Sequence, residues 1–377
     1  MPCMNNTYPN GEPSNISDGW HHTLVSSMAL CADQFQLVYP ALVITKNDEW
    51  LNMLDILPPE TRHWYQEDRI YPSFYGLYQE VIKTLPCPET AFQDLIGTSA
   101  FLHWNSYLLQ LESKLPKTEL PVVWMNWALI YAPDVANIGR SYLCKQMFAA
   151  QTQQNSLSEI DETARLPLYF PSMSDINIML KNSPATHFYY NSPAGNNEEI
   201  KLLWNRSAQR LNEHMVNHDA TEDINQKFAI SNIKIKVRFD HFSNIPVTPG
   251  TWFDADLLDS LRHYNPSDQQ KNIYEKLCRS FFGKNSILNH IVSSVIFADG
   301  INLHLESDAP FTDSEQKLIT SQNETGYWPL YLKADHRCCF NKVDFKSGRL
   351  HITTSTSAHH PVRIGQQVQY FDKYPCF

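Results

Sequence analysis

The sequence predicts an α+β protein, with a helical region over residues 19–226 followed by a β-rich region over 227–377 of mostly antiparallel strands and at least one packed helix. Three observations predict it. Residues Ile233 to Asp240 alternate without a miss: Ile233, Ile235, Val237 and Phe239 face one way, Lys234, Lys236, Arg238 and Asp240 the other, the period of a strand with one buried face. Upstream, apolar residues recur mostly at steps of three and four, as on a buried helix face. Downstream, Asp299-Gly300 and Ser347-Gly348 separate strand-like runs, and such dipeptides are strong hairpin signals.

Taken in order, residues 1–18 form a polar arm that has neither the cationic start nor the apolar segment of a secretory signal. Leu24, Met28, Cys31, Phe35 and Val38 then predict a helix stopped by Pro40. A second helix runs from Ser73 through Leu77, Val81 and Leu85 to the Pro86-Cys87-Pro88 punctuation. Phe92, Leu95, Ile96, Ser99 and Leu102 carry a long third helix to about Lys114. Asp134 caps a fourth, with Val135, Ile138 and Tyr142 inward, which fades into an exposed loop at 151–156. The Pro- and Asn-rich stretch 166–197 reads as irregular. A strong helix follows from Glu198 to about His218, with Ile200, Leu203, Trp204, Ser207, Leu211 and Met215 on one side. Beyond the opening strand, Ser267 and Gln270 resemble a capping box for a helix through Ile273, Leu277 and Phe281, stopped by Gly283. No repeat of fixed period is present, which disfavours solenoids and propellers.

Composition narrows the function classes. With 42% hydrophobic and 12% aromatic residues in 377, the chain can bury a large core and is not wholly disordered. A net charge of −10 works against nucleic acid as a partner, and Lys234, Lys236 and Arg238 read as a solvated strand face. The most apolar stretches, Pro121 to Ala132 and Ile287 to Ala298, are too short and interrupted to span a bilayer, so no integral membrane segment is expected. Eight cysteines lack both CxxC pairs and the dense spacing of a disulfide framework. Reduced thiols and a cytoplasmic chain as synthesised are the expectation, with export by a route lacking a cleavable signal left open.

Four groups carry ligand-type or reactive atoms. His214 and His218, four apart on the predicted helix beside Glu213 and Asp219, could aim two imidazoles at one metal; the HExxH order is absent, and helix-end histidines are the competing reading. His336 and Cys338 would share one strand face near Asp335 and Cys339, as metal ligands, as a Cys-His pair, or as part of a half-buried strand. Asp254, Asp256 and Asp259 after Trp252 could hold a cation, but acidic residues in the first turn of a helix through Leu257, Leu258 and Leu261 account for them. Trp124 and Trp127 beside Asn126 could form an aromatic platform, against burial among Val122, Val123, Leu129 and Ile130. There is no nucleophile elbow, P-loop or dinucleotide fingerprint, and the sequence names no cofactor.

Three stretches carry a resemblance: Tyr131 to Arg140 (YAPDVANIGR); the strand through Phe239 followed by Gly250 to Phe253 (GTWF); and Gly326 to Leu330 (GYWPL). Together they resemble poorly characterised bacterial proteins with a helical first half and a β-rich second half, found with α-helical pore-forming cytotoxins. The resemblance implies an accessory or effector role around a secreted toxin and carries over no catalytic residue. The expectation is a non-enzymatic binding or accessory protein that meets a protein partner through its surface. The alternative is a hydrolase, metal-dependent or not, whose His, Asp and Cys groups converge only on folding.

Overall fold

The computed structural model describes residues 16–66, 71–84, 92–111, 115, 119–157, 167–192, 200–204, 218–250, 252–255, 281, 288, 290–321, 326–332 and 338–370. The helices are α1 (Ile16–Met28), α2 (Asn47–Leu54), α3 (Phe74–Thr84), α4 (Phe92–Ile96), α5 (Thr98–Gln110), α6 (Leu120–Tyr131), α7 (Ala136–Leu157), α8 (Met173–Lys181), α9 (His218–Ala229) and α10 (Asp313–Ser321). The strands are β1 (Phe35–Val43), β2 (His63–Tyr65), β3 (Tyr169–Phe170), β4 (Thr186–Ser192), β5 (Leu203–Trp204), β6 (Ile233–Pro246), β7 (Thr248–Pro249), β8 (His290–Ser307), β9 (Gly326–Tyr327), β10 (Cys339–Lys346), β11 (Arg349–Thr356) and β12 (Val362–Tyr370). The class is α+β, with the helices mainly in the first half and a mostly antiparallel sheet.

Strand β6 has the predicted alternation: Ile233, Ile235, Val237 and Phe239 are buried, and the residues between them are exposed. Helix α3 lies where its apolar spacing places it. Several other elements differ, each for a physical reason. Ile16 and Ser17, placed in the polar arm, are already helical and buried. The run from Leu24 to Val38 divides into α1 and β1, and the first seven residues of β1 are buried on both faces. A strand covered on both sides loses the two-residue alternation that would distinguish it from a helix. The long third helix breaks into α4 and α5 at Gly97, whose φ of 82° no helical residue adopts.

Helix α7 continues through 151–156, where a loop was expected. Its buried side is Ala136, Arg140, Leu143, Cys144 and Met147, with Ile138 exposed, because an arginine occupies a core position in the stripe. The stretch read as irregular holds β3, β4 and α8, the last capped by Ser172, whose side chain accepts from the Asp175 N–H. The strong helix expected from Glu198 is not present at Leu203 and Trp204, which form β5 against β9; the helix expected at 267–281 falls almost wholly outside the described residues. Helix α9 runs across residue 226, and strands on both sides of that position share one sheet.

That sheet runs β10-β11-β8-β12-β1-β2, with β6 on the other edge of β8 and β4 on β6; only the β1–β2 pair is parallel. The Ser347-Gly348 hairpin forms as predicted, with Lys346 opposite Arg349 and φ values of 52° and 76° at the two turn residues. Asp299-Gly300 makes no hairpin. Strand β8 passes straight through it, paired to β6 on both sides of Gly300 (Phe239 opposite Ile301, His241 opposite Asp299). On its other edge the neighbour changes there, from β12 at Ala298 to β11 at Asn302. Gly300 has φ 62°, and a Cβ on it would lie 2.5 Å from an Asp240 carboxylate oxygen, so the dipeptide serves a change of partner inside a strand. Asp299 ties the β11–β12 connection by accepting N–H bonds from His359 and His360, 3.0 Å each.

Among the described residues, buried apolar side chains gather in three clusters. The first lies on one face of the sheet, joining Trp20, Phe35 and Tyr39 to Phe188, Phe239, Trp328 and Tyr331. The second joins α2, α3 and α8 to Trp252, Val292 and Phe297. The third, around Trp104, Trp124 and Trp127, sits among α4 to α7. Among the described residues, no helix is long and apolar enough to cross a membrane.

Candidate functional site

The predicted ligand residues fall mostly outside the described residues. His214, His336, Asp335, Asp256 and Asp259 lie outside the described residues, and His218 is the first residue of α9, its side chain likewise outside. Cys338 and Cys339 are both buried, in the first apolar cluster. No group of three or more His, Cys, Asp or Glu able to hold a metal occurs among the described residues. The expectation of reduced thiols is overturned at Cys31, which is disulfide-bonded. Trp124 and Trp127 are core residues: Trp124 is fully buried, donates its indole N–H to the Ala136 carbonyl at 2.7 Å, and covers Gly139 so closely that no Cβ would fit.

Asp254 alone of the acidic trio can be placed, and its partner was not anticipated. Arg140 on α7 reaches it with two parallel bonds, Nε to Oδ2 at 2.9 Å and Nη2 to Oδ1, and both side chains are almost wholly buried. The Asp254 N–H donates to the Tyr78 hydroxyl at 3.2 Å, and the Cys144 thiol donates to Oδ2 at 3.4 Å. Burial first, then the Asp254 charge, push the Cys144 thiol well above its ordinary value, so it stays protonated and cannot serve as a thiolate nucleophile at neutral pH. The cluster clamps α7 to the segment after β7. Two of the stretches quoted above meet here, since one ends on Arg140 and the other adjoins Asp254.

A second polar group lies between α1 and β2. His63 Nε2 stands 3.3 Å from Asp18 Oδ1, and His21 Nε2 donates to the Phe35 carbonyl at 2.9 Å. Burial, opposed in part by that bond, lowers the His21 pKa to about 4, so the ring is neutral. Tyr39 stacks on Tyr65 at 5.0 Å between centroids and meets Tyr331 edge-on at 5.2 Å. The aspartate–histidine pair has the outline of an acid–base dyad, yet His63 Nδ1, the nitrogen a substrate would need, is buried. The group reads as packing of α1 on the sheet.

Comparison of the chain with family models, with curated proteins and with solved structures finds no match. The reading of function therefore rests on the surface and interior described.

The outer face of α5 and α6 is the feature that packing does not explain. On α5, Leu102 and Leu109 recur seven apart, and Leu109 is 86% exposed; on α6, Val122, Leu129 and Ile130 share one side, with Leu129 at 61% and Ile130 at 72%. Tyr131 and Ile138 extend the apolar surface onto the turn and α7. The twelve residues of α6 carry no Asp, Glu, Lys or Arg, so the helix is apolar nearly all round although only one side faces the tryptophan cluster.

Proposed function

We propose that this chain is a non-enzymatic binding or accessory protein that engages a partner protein through the outer face of α5 and α6. The observation that carries the reading is the row of exposed leucine, isoleucine, valine and tyrosine side chains on an uncharged helix whose other side is already packed. Water-exposed apolar residues are ordinary one at a time, but several on one side of a single helix, as with Val122, Leu129 and Ile130 on α6, are typical of interaction sites. The partner that fits presents an apolar, uncharged surface such as one face of an amphipathic helix, since α6 offers no charge with which to pair. The resemblance to proteins found with pore-forming cytotoxins supplies the setting of this proposal, a secreted bacterial toxin system.

Size-exclusion and pull-down experiments with proteins encoded by neighbouring genes test it. The expected result is a complex with the parent chain and a loss of about tenfold or more in affinity with Leu129→Asp and Ile130→Asp combined, the scale of one interface hot spot. A parent that binds none of them, self-association in place of a heterologous complex, or a double variant that binds as well as the parent, overturns it.

A further inference from the structure

The sheet carries a second buried arginine whose surroundings differ from those of Arg140. Strand β12 pairs with β1 at Leu37 opposite Gly365 and again at Leu42 opposite Arg363, so the ladder is interrupted between those points. The β12–β8 ladder shifts register at the same place, between Arg363 and Gly365. Bulges of this kind re-aim a side chain. Within the interruption the Ala41 N–H bonds instead to the Leu330 carbonyl at 2.9 Å. Arg363 reaches past β1 toward β2: Nη2 donates to Gln66 Oε1 at 2.7 Å, and the guanidinium carbon stands 5.6 Å from the centroid of the Trp64 ring.

Arg363 is 0% exposed. Its Nε and Nη1 have no acceptor among the described residues, and neither does Trp64 Nε1. The nearby glutamine layer is committed elsewhere: Gln366 Nε2 donates to Gln36 Oε1 at 3.0 Å, and Gln36 Nε2 donates to the carbonyls of Pro59 and Thr61. Among the described residues of that layer, Gln366 Oε1 is an acceptor without a donor, against three unmatched donors at Arg363 Nε, Arg363 Nη1 and Trp64 Nε1. Burial alone lowers the Arg363 pKa to about 9, with no charged neighbour contributing, which leaves the guanidinium cationic at neutral pH. A buried cation without a counter-charge is costly, and unmet donors on it add to the cost.

We infer that Arg363, flanked by Trp64, forms a binding site for a small monovalent inorganic anion of halide size. One negative charge balances the guanidinium, and a monatomic acceptor against the Nε–H edge needs no donors of its own; the Nη1 hydrogens leave a different edge and do not share that ion. The site would tie β1, β2 and β12 together at the point where their ladders are interrupted.

Thermal melting of the full chain at pH 7 and constant ionic strength, with gluconate exchanged stepwise for chloride or bromide, tests the inference. The midpoint should rise saturably by about 2 °C at halide concentrations several times the dissociation constant, and the Arg363→Met variant should show no such rise. Crystals grown in bromide give a readout that does not depend on the variant folding: an anomalous peak is expected beside the Arg363 guanidinium. A parent midpoint identical in gluconate and halide, a halide response retained by Arg363→Met, or bromide crystals with no peak at Arg363 would each overturn the site, the first outcome meaning that neutral solvent alone meets those donors.

Discussion

Arg140 and Arg363 are both buried, yet the chain treats the two in opposite ways. Around Arg140, helix α7 meets a carboxylate brought from 114 positions away, and the pair leaves two parallel bonds and no net charge in the interior. Around Arg363, the described residues supply one amide oxygen and an indole face but no carboxylate. The first arrangement is closed within the fold. The second leaves a net positive charge at the interruption in the sheet. The difference teaches that a buried arginine marks a structural clamp where its mate is internal, and a candidate ligand site where it is not.

The largest effect that separates the two regions is expected from matched substitutions. Arg140→Met should lower stability by about 3–5 kcal/mol, because Asp254 is left charged and buried without its mate. Arg363→Met, compared with the parent in halide-free gluconate, should be neutral or stabilising by about 1–4 kcal/mol, because it removes a buried charge and leaves no counter-charge behind. Urea denaturation curves measure both. Equal losses at the two positions would break the comparison.

His21 extends the comparison to a third buried basic group, one that has given up its proton. Its folded pKa of about 4 lies below the unfolded value of 6.5. Below pH 6.5 the unfolded chain takes up a proton that the folded chain refuses, so the stability His21 contributes is complete above pH 6.5 and is lost as pH falls toward 4. The loss amounts to roughly 3 kcal/mol at one pKa unit per 1.36 kcal/mol. Denaturation followed from pH 7.5 to 4, with His21→Gln showing a flatter profile than the parent, checks the sign and size. A parent whose stability rises on acidification, or a variant with the same slope, would remove His21 from the set.

The smallest effect belongs to the surface outside both regions. Leu129→Asp and Ile130→Asp should each lower unfolding free energy by no more than about 1.5 kcal/mol, since both positions are solvated and the cost is that of an acidic residue in the last turn of α6, through helix propensity and the helix dipole. A larger loss in denaturation would mean that these side chains are needed by the tryptophan cluster and are not held for a partner.

Legibility in the sequence followed the visibility of period. Strand β6 could be read because one face is dry and the other wet, and the Ser347-Gly348 turn because its backbone angles demand such residues. Strand β1 could not, because burial on both faces leaves an apolar run with no alternation. The register of α7 was obscured by Arg140, a charged residue at a core position whose mate lies in another segment. Asp254 was visible as a member of an acidic trio, while its pairing was not, since nothing local records a contact across that distance. Arg363 carries no local sign of burial: an arginine beside the glutamines of residues 362–370 fits a wetted face, while the cover on both sides of Val362 to Gln366 and the interrupted ladders keep it inside. The apolar surface of α6 was read as core from its composition, which is correct for the tryptophans and not for Leu129 or Ile130.

The pairing of β1 with β12 also bears on how the chain reaches this fold during translation. Strand β1 is made early, but its antiparallel neighbour is residues 362–370, so that edge of Phe35–Val43 has no lasting partner until more than three hundred further residues have left the ribosome. Contacts so distant along the chain slow folding and leave intermediates with open strand edges. Holding that nascent edge apart from other chains is thus a demand set by topology, and it predicts that folding chaperones matter more for the yield of this protein than for a chain whose first strand meets its neighbour at once.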